Sequence, residues 1–230
     1  MNNPLLKEFK NEYGIPPFEL IKEEHYIPAF DKAIEEHAKE IKLIIDNKVT
    51  PTFENTINAL ENSGELLSKV SRVFYNLLSA HSNDNLNKIA SEISPKLSRH
   101  NDSISLNQDL FIKIKKVHED KDLLNDEQQR LVQIIFDNFK LRGSLLDDGN
   151  REVLKSMNEK LSSLSLKFNQ NTLKETNNFQ LIISDPNELD GLPEDLIELG
   201  KKQAETEPVS YTHLRAHETR HDLVCRLLLE

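Results

Sequence analysis

The sequence predicts a mainly α fold, an antiparallel helical bundle, and three observations carry that reading. Charged residues make up 30% against 37% hydrophobic with only 6 glycines, the balance of a helix-rich soluble chain. Apolar residues recur every three or four positions over most of the length. Short connections with capping residues separate these stretches, so consecutive helices reverse direction and must bury their apolar faces against each other.

In order, residues 1–24 form an N-terminal arm punctuated by Pro4, Gly14, Pro16 and Pro17, with Phe9, Tyr13, Ile15, Phe18 and Ile21 between them. A helical domain follows over 25–178. Ile27, Phe30, Ile34, Ile41 and Ile45 set a helix over about Tyr26 to Asp46, with Pro28 tolerable in its first turn. Thr52 can cap a second helix with the stripe Phe53, Ile57, Leu60, Leu67, Val70, Phe74 and Leu77, which Gly64 weakens without needing to end it. Leu86, Ile89, Ile93 and Leu97 form the next stripe, where Pro95 should kink or divide the helix. Gln108 to Glu119 is helical, and Asn125 opens a helix carrying Leu131, Ile134, Ile135 and Phe139 that Gly143 ends.

Asp147 to Asn177 is the longest candidate helix, with Val153, Met157, Leu161, Leu164 and Phe168 as its apolar face. Phe53, Phe74, Phe136, Phe139 and Phe168 are expected in the core. Residues 179–207 start a further segment: one short strand near 179–183, the turn Ser184-Asp185-Pro186, and a helix from Pro193 to about Ala204. One strand is not stable alone, and no partner for it is visible in the sequence.

The net charge of −10 argues against a nucleic-acid surface, which needs clustered Lys and Arg. Cys225 is the sole cysteine, which rules out an intrachain disulfide and fits a cytoplasmic setting. No run approaches the ~18 apolar residues of a membrane span, and the N-terminus has no secretory pattern.

The loudest chemical motif is His217-Glu218-Thr219-Arg220-His221, an H-E-x-x-H match that on a helix sets two imidazoles one turn apart to hold Zn²⁺, with Glu218 placed as the general base. The bland alternative is a chance match in a tail that also holds His213. The remaining histidines, His25, His37, His81, His100 and His118, show no ligand spacing and read as surface or helix-packing residues. The carboxylate pairs Glu23-Glu24, Glu35-Glu36 and Asp147-Asp148 read as solvated faces or caps. There is no nucleophile elbow, P-loop or dinucleotide turn. On chemistry alone, the chain before the tail is a scaffold or a recognition surface.

Five stretches carry a more specific resemblance: Tyr13 through Phe30 (YGIPPFELIKEEHYIPAF), Pro51 through Glu61 (PTFENTINALE), Ser79-Ala-His-Ser-Asn83, Leu161 through Phe168 (LSSLSLKF) and Leu189-Asp-Gly-Leu-Pro-Glu194. Together they resemble the N-terminal helical region of the thimet-oligopeptidase-like zinc metallopeptidases, and among these the bacterial peptidyl-dipeptidases (dipeptidyl carboxypeptidases). The resemblance covers Met1 to about Glu207. It implies a helical wall and cap over a peptide channel, short peptide substrates, a monomer when intact, no membrane or nucleic-acid partner, and Zn²⁺ held far downstream by H-E-x-G-H and a further Glu.

The resemblance also implies that no catalytic or metal-binding residue lies in Met1 to Glu207, so the chain is an inactive N-terminal fragment. His217, Glu218 and His221 do not fill the gap. Arg220 stands where the family motif has Gly, and nine residues after His221 are too few to return a third ligand. Back-translated, Val209 to Thr219 and Asp222 to Leu229 resemble the ends of a sequencing-library adapter. Residues 208–230 are therefore expected to be a non-native tail. The competing reading is a self-contained helical module that binds peptides or a partner helix along an apolar groove.

Overall fold

The computed structural model describes residues 3–10, 13–178, 181–183, 185–205 and 214–216. Contacts divide the chain into two compact units, Met1–Lys167 and Phe168–Glu230.

Among its described residues, unit 1 is built of helices and turns with no strand. Helix α1 (Tyr26–Asp46) is followed by a π-helical turn (Phe53–Asn58) that runs into the short α2 (Ala59–Glu61), then α3 (Glu65–Ala80), α4 (Asp84–Ser105), α5 (Gln108–Glu119), α6 (Asp126–Leu141) and the start of α7 (Asp148–Asn178). The starts are set by side-chain caps, each satisfying a backbone N–H that the first turn leaves without a helical partner. Thr52 Oγ1 accepts from Asn55 N at 3.2 Å while Asn55 Oδ1 accepts from Thr52 N at 2.8 Å. Asn125 and Gln128 make the same reciprocal pair on α6. Asn83, Asn107 and Asp147 cap α4, α5 and α7.

Two cores result. The first joins the N-terminal arm to α1, α3 and α4: Leu5, Tyr26, Phe30, Val70, Phe74, Ala90 and Ile93 are all buried. Phe74 is its centre, meeting Tyr26 and Phe30 edge to face at 5.0 and 5.5 Å between ring centroids. The second joins the far half of α1 to the π-helical turn, α5 and α6 through Ile41, Ile44, Ile57, Leu110, Ile114, Val132 and Phe139.

Four sequence expectations are corrected. Gly64 does end the helix begun at Phe53: it takes φ 73°, a left-handed conformation costly for other residues, and α3 starts afresh after it. Pro95 does not divide α4, which runs unbroken from Asp84 to Ser105. The long helix does not bury its apolar stripe. Val153, Met157, Leu161, Leu164 and Phe168 are 52–70% exposed, so Phe168 is not a core residue; Ile134 of α6 is likewise exposed at 41%. Finally, the short strand has a partner, supplied by the segment expected to be a non-native tail.

That strand lies in unit 2, where β1 (Leu181–Ile183) pairs antiparallel with β2 (Leu214–Ala216), Ile182 opposite Arg215. Between them, a 3-10 turn (Pro186–Leu189) leads to α8 (Glu194–Glu205). Asp185 Oδ1 caps the turn by accepting from Asn187 N at 2.9 Å.

Candidate functional site

No helix among the described residues is long and apolar enough to cross a membrane. The concentration of buried polar chemistry lies where α1, α2 and α4 meet in unit 1. His37 on α1 and His100 on α4 occupy stripe positions, three residues after Ile34 and three after Leu97, so the two helices bring the rings together, His100 buried and His37 half-buried. Their centroids are 4.9 Å apart, and His100 Nε2 lies 2.9 Å from His37 Nδ1. His37 Nε2 is in turn 3.1 Å from Ser63 Oγ, and Ser63 Oγ donates to Leu60 O at 2.6 Å.

This chain of contacts fixes its own proton order. Ser63 has one hydroxyl proton and the Leu60 carbonyl takes it, so Ser63 Oγ must accept from His37 Nε2–H. His37 Nδ1 is then bare and accepts from His100 Nε2–H. Burial lowers the pKa of both rings; the carboxylate of Glu40 opposes this at His37, and His37 reinforces it at His100. Ser63 next to a histidine resembles a nucleophile and its base, but the imidazole donates to the hydroxyl and cannot draw its proton. The arrangement locks helices together and does not activate an oxygen.

Gly64 completes the cluster. Its N–H donates to Glu40 Oε2 at 2.7 Å, and a Cβ on it would stand 2.8 Å from His37 Cε1. Beside it opens a cleft of about 290 Å³ lined by His37, Leu60, Ser63, Asn101, Asn138 and Arg142 among others.

Two residues beyond His100, Asp102 is buried, with 8% of its surface exposed. Its Oδ1 accepts from Asn158 Nδ2 of α7 at 2.8 Å, while Oδ2 has no hydrogen-bond partner. Burial raises its pKa, against the hydrogen bond from Asn158 and the positive charges of Lys155 and Arg142.

The other sequence candidates stay apart. His25 Nδ1 accepts from Lys22 N, His118 stacks on Phe136 with 4.0 Å between centroids, and His81 ends α3. Glu35 and Glu36 pair with Lys32 on the surface of α1, Glu35 also with Lys39, and Glu23 accepts from Asn83 and Asn85. His217, Glu218 and His221 lie outside the described residues. Among the described residues, no group of three or more His, Cys, Asp or Glu could hold a metal ion. The zinc that the resemblance implies therefore does not fit the residues described.

The His37–His100 pair was missed in the sequence because 63 residues separate its members. The available signal was that both histidines continue apolar stripes, which marks them for burial.

Comparison with known proteins gives the chain its relatives. The chain is 36% identical over 197 residues to the dipeptidyl carboxypeptidase of Salmonella typhimurium, and the match takes in 84% of this chain but 29% of that protein. The chain is homologous to the N-terminal part of the dipeptidyl carboxypeptidases. The Escherichia coli dipeptidyl carboxypeptidase is 35% identical over 204 residues, 88% of this chain and 30% of its own length. A more distant peptidase, organellar oligopeptidase A of Arabidopsis thaliana, is 26% identical over 194 residues, 84% of this chain and 24% of its own. No family model matches. The chain thus spans less than a third of the length of these dipeptidyl carboxypeptidases.

Proposed function

We propose that this chain is the N-terminal helical part of a cytoplasmic zinc peptidyl-dipeptidase that hydrolyses short peptides and releases C-terminal dipeptides. In this reading the zinc and the catalytic residues belong to the part of the relatives that has no counterpart here, and the chain alone is inactive. The observation that carries it is the lopsided match: 84% of this chain aligns with only 29% of the Salmonella typhimurium dipeptidyl carboxypeptidase. Residues 208–230 are read as translated adapter, which the nucleotide sequence downstream of Pro208 tests directly. Codons that depart from the adapter would remove that part of the proposal.

The activity test uses the purified 230-residue chain with one equivalent of zinc and a short blocked peptide. No hydrolysis and no tight zinc binding are expected. Stoichiometric zinc together with cleavage, both lost in Glu218→Gln or His217→Ala, would instead make the tail motif a working site. The second reading, a self-contained binding module, is favoured by the two closed cores of unit 1. It predicts capture of short peptides by the isolated chain with no downstream part present, which the same peptide titration measures.

A further inference from the structure

Helix α7 is mounted the unusual way round. At 100° per residue, Val153, Met157, Leu161 and Leu164 fall within an arc of about 80°, and each is more than half exposed. The side turned toward unit 1 is largely polar. Asn158 reaches Asp102, Glu159 pairs with Arg99 at 2.6 Å, and Ser162 is half-buried between them and Leu166. An amphipathic helix on the outside of a finished domain turns its apolar face inward. This one holds the rest of unit 1 by hydrogen bonds, an ion pair and the two leucines Leu154 and Leu166, and it offers its longer apolar face outward, as a helix does when a second layer covers it.

We infer that the Val153–Met157–Leu161–Leu164 face of α7 is the docking surface for the downstream polypeptide of the intact peptidase, packing against an apolar face of that part. This rests on the N-terminal reading above. Two observations select the occupant. More than two thirds of each dipeptidyl carboxypeptidase relative has no counterpart in this chain, so a large covalent neighbour exists in the intact proteins. A second copy of the chain is disfavoured, since each copy carries a net charge of −10 and like charges oppose self-association. A continuous apolar face of three helical turns also marks an interaction surface when left exposed.

The experiment compares the full chain with the double variant Met157→Glu/Leu161→Glu, and with Leu164→Gln as a milder change. Because these side chains are exposed, all three proteins are expected to keep the same helical circular dichroism and melting temperature. The unsubstituted chain should bind the apolar dye ANS as a monomer in light scattering, with the signal lost in the double variant. The probe for docking is the C-terminal remainder of the Escherichia coli dipeptidyl carboxypeptidase, with the Salmonella typhimurium remainder as a second probe. A 1:1 complex that is at least tenfold weaker with the double variant supports the assignment. A dimer of the chain that the variant disperses, a variant that lowers the melting temperature, or no complex with either remainder overturns it. Peptide hydrolysis is read separately in the same mixtures, so a complex that forms without activity strikes at the proposed function and not at the docking face.

Discussion

Replacing Gly64 by alanine separates two costs that the structure superimposes at one residue. The first is the backbone: at φ 73° an L side chain meets the left-handed penalty, about 1–2 kcal/mol. The second is contact, since the new methyl would lie 2.8 Å from His37 Cε1 and 2.9 Å from Nδ1. The imidazole must move, and with it the bonds to His100 and Ser63, each worth about 1 kcal/mol. Gly64→Ala is thus expected to cost about 3–4 kcal/mol in urea unfolding followed by circular dichroism. Gly14→Ala supplies the backbone cost alone, because it has φ 62° with nothing within 4 Å of its added Cβ; about 1 kcal/mol is expected. In a His37→Ala background, Gly64→Ala should fall toward the Gly14 value, a coupling of about 2 kcal/mol. Equal costs at both glycines, or no coupling to His37, would refute the packing argument.

Three further outcomes are expected. The His37–His100 pair has its pKa values lowered in the fold, so the unfolded chain binds more protons. Stability should be full above about pH 6.5 and fall as pH drops through the depressed values, by up to about 1.4 kcal/mol per pH unit for each ring kept neutral. Thermal melts between pH 8 and 5 measure this, and His100→Asn should flatten the profile; an unchanged slope would discount the pair. Asp102 has its pKa raised, so its contribution is favourable below the ordinary carboxyl range and lost as pH rises through the folded value. Asp102→Asn keeps an acceptor for Asn158 and is expected to gain about 1 kcal/mol at pH 7 and nothing at pH 3; a loss at pH 7 would show that Arg142 and Lys155 already serve the carboxylate. Phe74→Ala empties the centre of the first core and should cost about 3–5 kcal/mol in the same urea assay, whereas a cost near that of a surface change would mean the rings repack.

The helices of unit 1 were legible because their signals are local. Thr52 and Asn125 announce starts within three residues, Gly143 takes φ 98° just past the end of α6, and the stripes through Phe30, Phe74 and Ile93 name the core. What escaped was non-local. Whether Gly64 merely weakened a helix or ended it turned on His37, which leaves no room for a Cβ, and on Glu40, which accepts its N–H. The site was hidden for the same reason, since pairing His37 with His100 requires knowing that α1 lies against α4. Helix α7 was misread for a different reason. Periodicity finds an apolar face, and it is silent on whether the element that covers this face is present in the chain.

The N-terminal arm has a consequence for the order of folding. Leu5 is fully buried among α1, α3 and α4, and Lys69 secures the arm by donating to Lys7 O at 3.0 Å and lying 5.0 Å above the Phe9 ring. These contacts close loops of some 60 residues, whereas the helices next to them form from neighbours in sequence. The arm is therefore expected to find its place after the helices it rests on. It acts as a latch that needs α3 in place before it can shut, because Lys69 lies on that helix.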